Sequence, residues 1–233
     1  MVYKYIILLF FLICMLYFYN YLYFNSYIKK IITNTSIKEP FSSSQTFILL
    51  GDSILKNDAY VTNGKSVDDL LTERTNGNTI CFAKDDSKIM DVYTQINNIS
   101  NNLNNYNTTI LLSIGGNDIL SSYAHGNDVD KITSLAPIFK AYIKLVKSIR
   151  EKFPKIRLVL FDIYYPENIK YQQYHPTIQK WNKMLYGFTN AKYDIYDIFK
   201  ISNILTHKDD FTLDIEPSSI GSQKLVDAIM TSY

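Results

Sequence analysis

The sequence predicts an α/β fold, a three-layer domain with helices on both faces of a five-stranded parallel sheet, and two observations carry that prediction. From residue 46 onward, short apolar runs alternate with longer stretches of helical periodicity, the pattern of βαβ units wound around a buried sheet. No internal repeat and no second apolar core interrupts it, and 233 residues is the length of one domain plus a short appendage.

The strands are expected at 46–50, 79–83, 108–113, 157–162 and 193–196. The runs F-I-L-L and I-L-L are apolar without alternation, as strands covered on both faces must be. Between them, apolar residues recur at helical spacing over 66–74, 89–103, 132–153, 174–189 and 219–230. In sheets of this kind the chemistry lies at the carboxyl ends of the strands, near the point where strand order reverses. The residues to inspect are therefore Gly51-Asp52-Ser53, Lys84-Asp85-Asp86, Ile114 to Asp118, Ile163-Tyr164-Tyr165 and the loop before the last helix.

A net charge of +2 with acids and bases mixed along the chain excludes the electrostatic footprint of a nucleic-acid binder. The two cysteines, Cys14 in an apolar run and Cys81 in a strand, are not expected to pair.

Residues 5–24 form an uncharged, apolar run of roughly 20 residues interrupted by one amide, Asn20, long enough to span a bilayer as a helix. A small-residue cleavage site is missing after it, and the tyrosines from Tyr17 to Tyr27 read as an interfacial belt. The expectation is a transmembrane anchor over 1–28, a polar linker over 29–44 and a folded domain over 45–233. A cleaved signal peptide and a buried core helix are the other readings of the run. Lys4 on one side faces Lys29, Lys30 and Lys38 on the other, a bias that slightly favours a cytoplasmic carboxyl domain.

The first strand runs into G-D-S. A serine there sits on the sheet rim beside backbone N–H groups, which suits a nucleophile whose oxyanion is stabilised by main-chain donors. The plain alternative is a helix N-cap. The third strand runs into G-G-N-D, where the glycines let backbone approach a substrate and the Asn117 amide can donate to developing negative charge. Alone this is a turn; together the two loops mark one site, since they follow strands one and three.

At these residues the chain resembles the SGNH (GDSL-type) hydrolases, whose first block G-D-S matches Gly51-Asp52-Ser53 and whose third block G-x-N-D matches Gly115-Gly116-Asn117-Asp118. The resemblance covers about residues 46–231. It is strongest to a subgroup carrying L-G-D-S, N-x-x-Y-V, A-x-D-G, S-x-G-G-N-D and I-E-P-S-x-x-G, here L-G-D-S-I-L-K-N-D-A-Y-V, A-K-D-D, S-I-G-G-N-D and I-E-P-S-S-I-G. It implies a flavodoxin-like sheet, no cofactor and no metal. The implied reaction is hydrolysis of a small carboxylic ester or acylated substrate, with Ser53 attacking and the oxyanion held by the N–H of Ser53, the N–H of Asp86 and the amide of Asn117.

Two positions depart from the family. Its second-block glycine falls on Asp86, and its D-x-x-H-P falls without gaps on Leu213-Asp214-Ile215-Glu216-Pro217, so Glu216 stands where the histidine base belongs. A serine hydroxyl needs such a base near neutral pH. A buried Glu216 with a raised pKa could serve, as could His207, nine residues earlier; His125 and His175 read as surface residues. Asp209, Asp210, Asp214 and Glu216 cluster in sequence but lack the His or Cys that would make a metal site. Trp181 and the tyrosines of 164–174 are candidates for an acyl pocket or for core. A non-catalytic binding or scaffold protein that kept the fold and lost the base is the rival reading.

Overall fold

The computed structural model describes residues 15, 45–123, 128–189 and 196–233. The predicted anchor and linker therefore lie outside the described residues apart from Met15, and so does His125. Among the described residues no helix is long and apolar enough to cross a membrane.

The elements alternate as expected. β1 (Thr46–Gly51), α1 (Val67–Arg74), β2 (Thr79–Cys81), α2 (Val92–Asn97), β3 (Thr108–Ser113), α3 (Gly116–Tyr123), α4 (Asp128–Lys152), β4 (Arg157–Phe161), α5 (His175–Thr189) and β5 (Asp197–Phe199) lead to a small hairpin, β6 (Phe211–Thr212) and β7 (Glu216–Pro217). The last helix, α6 (Ser219–Ser232), follows it. The main sheet has five parallel strands in the order β2-β1-β3-β4-β5. Strand order reverses at β1 and β3, which is where sheets of this topology open a crevice.

The run T-F-I-L-L-G forms a central strand because both of its faces are covered. Ile48 and Leu50 join Ile110, Leu112, Leu158 and Leu160 in a core shared with Val92 and Ile96 of α2, Leu145 and Ile149 of α4, and Trp181 and Leu185 of α5. Phe47, Leu49, Leu111 and Val159, on the alternate face, are as fully buried, as are Leu71 of α1 and Leu225, Val226 and Ile229 of α6. At about 25 cal/mol per Å², burying each such side chain is worth roughly 1.5–3 kcal/mol, so the central strands and the helices packed on them anchor the domain.

Three expectations are corrected. The fifth strand is seen at Asp197–Phe199, with Tyr196 just ahead of it, while 193–195 of the expected range lie outside the described residues. The expected helix over 89–103 is split into α2 and a 3₁₀ turn at Asn101–Leu103, since Ser100 and the asparagines that follow favour turns over a continuous helix. Ser53 caps no helix: residues 53–55 are a turn, stabilised by the Asp52 carboxylate, which accepts from Ile54 N at 3.2 Å. The cap of the first helix is Ser66, in a reciprocal capping box with Asp69.

Candidate active site

A cleft with a cavity volume of about 60 Å³ opens at the carboxyl ends of the strands. Its wall comes from the residues after β1 (Asp52, Ser53, Ile54), after β3 (Ile114, Gly116, Asn117), after β4 (Asp162, Ile163, Tyr164, Pro166) and from the β6–β7 hairpin (Ile215, Glu216). The chain thus brings Ser53, Asn117 and Glu216 into one cavity. Asp86, His207 and His175 do not line it.

Ser53 is held by the way β1 ends. Gly51 takes a φ of +127°, and a Cβ there would lie 1.7 Å from the Ser113 carbonyl oxygen, so only glycine lets β1 and β3 lie this close at the rim. Both backbone groups of Gly51 are bound by one side chain: Gly51 N donates to Gln95 Oε1 and Gln95 Nε2 donates to Gly51 O, each at 2.8 Å. Asp52 N in turn donates to Ser113 O at 3.1 Å. The serine therefore projects from a turn fixed on both sides.

Asn117 lies in the first turn of α3, its Nδ2 donating to Ser87 O at 3.1 Å, which leaves the second amide hydrogen for the cleft. Behind it Gly115, with φ +113°, packs against the Trp181 indole, which a Cβ would meet at 2.7 Å. Trp181 is fully buried against Phe139 and Tyr142, so it supports the Asn117 loop from the core and is not an acyl-pocket residue. Tyr164, Tyr171 and Tyr174 do line the cleft.

Asp86 adopts φ +57°, the left-handed conformation that glycine favours, in keeping with the glycine of the family's second block. Its N–H, however, donates to the Asp85 carboxylate at 2.8 Å, and the residue is exposed. The expected third oxyanion donor is thus committed elsewhere.

Glu216 occupies the edge of the hairpin. Its Oε2 is buried with no hydrogen-bond partner among the described residues. Burial raises its pKa from 4.5 to about 7, and the charges of Asp85 and Asp86 add to the rise. The neighbouring Ser53 hydroxyl opposes it, without forming a hydrogen bond of good geometry to Oε2. Asp52, beneath Ser53, is pushed further, to about 8, by burial first and by the Glu216 charge among the lesser causes. A base poised near neutrality and a neighbouring acid that stays largely protonated is an arrangement suited to proton transfer.

Neither described histidine lines the cleft with Ser53. His207 is exposed at the start of a 3₁₀ turn, where its backbone N–H donates to Asp210. His175 is engaged with the Pro166 carbonyl at 2.8 Å. The sequence cluster of carboxylates is dispersed in space: Asp210 is fully buried against Lys224 at 2.6 Å, and Asp214 is bound by Asn168 and Lys170. Among the described residues no group of three or more His, Cys, Asp or Glu is placed to hold a metal. Cys81 is a free, half-buried thiol, its pKa raised to about 12 by burial.

Two supporting residues escaped the sequence reading. Asn57, fully buried, donates through Nδ2 to Pro217 O at 2.8 Å and Ser222 Oγ at 2.7 Å, while its Oδ1 accepts from Val67 N at 2.9 Å. It therefore fastens the segment just after Glu216 to the loop that carries Ser53. Gln95 is the second, and its only outward sign was a polar residue on the buried side of a helical pattern.

No protein-family model and no curated sequence relative matches the chain. Among solved structures it is similar to a lipase from a goat rumen metagenome, with a TM-score of 0.65 and 17% identity over 80% of this chain and 96% of the other. It is also similar to a lipolytic protein of the G-D-S-L family from Veillonella parvula, with a TM-score of 0.61 and 15% identity over 81% and 98%. A third is phospholipase A1 from Streptomyces albidoflavus, with a TM-score of 0.59 and 12% identity over 82% and 100%. The domain has the fold of the GDSL-type lipolytic proteins.

Proposed function

We propose that the chain is a serine ester hydrolase of the GDSL type in which Glu216 takes the place of the usual histidine base. The observation that carries this reading is the buried, unpaired Oε2 of Glu216 in the same apolar cleft as Ser53, with a pKa raised to about 7. In the ionised state Glu216 accepts the Ser53 hydroxyl proton as Oγ forms a bond to the ester carbonyl carbon. The oxyanion that develops is met by the Asn117 amide and by backbone N–H at Ser53. Collapse of the intermediate breaks the bond to the alcohol oxygen, which takes the proton back from Glu216, and water then releases the acyl group by the reverse roles. The apolar wall of Ile54, Ile163, Ile178 and the tyrosines suits the acyl side of the substrate.

The test is labelling by a fluorophosphonate probe, which reports serine nucleophilicity without requiring the natural substrate. Labelling of wild type that is lost in Ser53→Ala supports the reading. Absence of labelling between about pH 6 and 9, around the Glu216 value, sinks it and favours a protein that binds acylated ligands without turnover. The observation on the side of that second reading is the Asp86 N–H, bound to Asp85 and so withdrawn from the oxyanion site. We also propose that residues 1–28 anchor the domain to a membrane, on the strength of the uncharged run 5–24. Carbonate-resistant pelleting of the full chain is expected, and a processed, soluble product would overturn it.

A further inference from the structure

Two large aliphatic side chains stand in solvent beside the mouth of the cleft: Ile169 is 79% exposed and Leu213 66% exposed. They come from different parts of the chain and line one shallow depression. Ile169 lies between the cleft residues Pro166 and Tyr171, and Leu213 precedes the cleft residues Ile215 and Glu216. Their proximity is fixed. Asp214, next to Leu213, accepts from Asn168 Nδ2 at 2.6 Å and from Lys170 Nζ at 3.1 Å, so a polar clamp joins the two residues flanking Ile169 to the hairpin tip. Leu213 itself sits at φ +45°, followed by Asp214 at +74°, a turn for which Gly or Asn is the unstrained choice. A branched apolar residue held in a costly conformation and in water is a departure from local preference that points to use.

We infer that this rim docks on the surface of a lipid bilayer, bringing the cleft against it. Three observations select that occupant. The two aliphatic tips neighbour in sequence the residues of a mainly apolar cleft, so a chain leaving the bilayer would pass from the tips to that wall. The charged groups bordering it balance, Glu167 and Asp214 against Lys170 and Lys208, so nothing in it selects a nucleic acid or a strongly charged protein, whereas a neutral lipid surface needs no counter-charge. Finally, the chain ahead of the domain carries the uncharged run 5–24, separated from residue 45 by the polar stretch 29–44. Sixteen residues bound the reach of that tether to a few tens of ångströms, so a domain held there meets the bilayer at high effective concentration, and two aliphatic tips suffice where they would be too weak alone.

The experiment uses the full chain reconstituted in phosphatidylcholine vesicles, with tryptophan introduced as Leu213→Trp or, independently, Ile169→Trp. Quenching is by phosphatidylcholine brominated on its acyl chains. Trp181 is fully buried and gives every sample the same background. The control is Tyr106→Trp, at an 82% exposed residue near the amino end of β3 and so at the opposite end of the sheet from the cleft. Emission from positions 213 and 169 is expected to fall by about half or more and that from 106 hardly at all, with no change on adding about 0.5 M salt, since apolar contact is not screened. Equal quenching at all three positions, or none at any, overturns the inference. Self-association in detergent that Leu213→Asp abolishes, without selective quenching, would assign the rim to a second copy instead. The measurement needs no turnover, so its outcome and that of the esterase test are independent.

Discussion

Replacing Glu216 by glutamine should make the domain more stable at alkaline pH and, on the proposed esterase reading, remove the base that serves Ser53. The ionised carboxylate is held in a buried setting where its pKa rises from 4.5 to about 7. At about 1.4 kcal/mol per tenfold change, the charged form costs the folded state at most about 3 kcal/mol, and about 2 kcal/mol once its partial access to solvent is counted. Because the folded value lies above the unfolded one, the neutral carboxyl's contribution is complete below about pH 4.5 and is lost as pH rises through about 7. Glu216→Gln, neutral at every pH, escapes that loss. Its Tm should match the wild type near about pH 4 and exceed it by about 4–8 °C near pH 8, the scale for 2 kcal/mol in a domain of this size. Over the same range the wild type's fluorophosphonate labelling and hydrolysis of a short activated ester should rise with pH through about 7, and the variant's rate should be about 10²–10⁴-fold lower. His207→Ala, at an exposed residue outside the cleft, is the matched control and should change neither quantity. Identical thermal profiles for wild type and Glu216→Gln, with labelling retained by Glu216→Gln and abolished by His207→Ala, would refute the reasoning and transfer the base to the histidine.

Two further substitutions probe the rest of the site. Asn117→Ala should lower any esterase rate by about 10²-fold, the cost of one oxyanion donor, with thermal unfolding little changed because only the bond to Ser87 O is lost; unchanged turnover would remove Asn117 from that role. Asn57→Ala should destabilise the domain by about 3 kcal/mol, since it leaves Val67 N, Pro217 O and Ser222 Oγ without a buried partner, and should also slow labelling by loosening the segment that carries Glu216. Urea denaturation paired with labelling rates checks it, and full stability with full reactivity would show that the three bonds are dispensable.

What the sequence disclosed follows from how far each signal reaches along the chain. The central strands were legible because a strand buried on both faces must be apolar residue after residue, and F-I-L-L and I-L-L are. The edge strand was not: Asp197 opens it, and a charged residue is tolerated there because it pairs with Arg157 at 2.6 Å on the flank of the sheet. Helix α3 was hidden because G-G-N-D is read locally as a turn, whereas here Gly116 already begins the helix. Ser53, Asn117 and Glu216 could be placed in one cleft because each follows or precedes a legible element. Asn57 and Gln95 could not, since a polar side chain does not announce its partners: two of those of Asn57 lie 160 and 165 residues away. The withdrawal of the Asp86 N–H was equally invisible, resting as it does on the rotamer of Asp85.

On the esterase reading the two departures from the family's blocks act on one another. A carboxylate with its ordinary pKa near 4.5 would be a weak base for a serine hydroxyl, and a histidine's advantage is a pKa close to neutrality. Burial in the cleft supplies most of the difference to Glu216, and the charges of Asp85 and Asp86 supply more in the same direction. Asp86, whose N–H the Asp85 carboxylate withdraws from the site, therefore strengthens through its own charge the base that replaces histidine. The accumulation of negative charge that would repel an oxyanion is moderated beneath the nucleophile, where Asp52, with a value of about 8, is largely uncharged at neutral pH. A glycine restored at position 86 would thus free the strained backbone and relax its repulsion of the oxyanion, but lower the basicity of Glu216. The pH midpoint of labelling should accordingly move down, not up, in Asp86→Gly, and a midpoint that stays in place would show that burial alone sets the base.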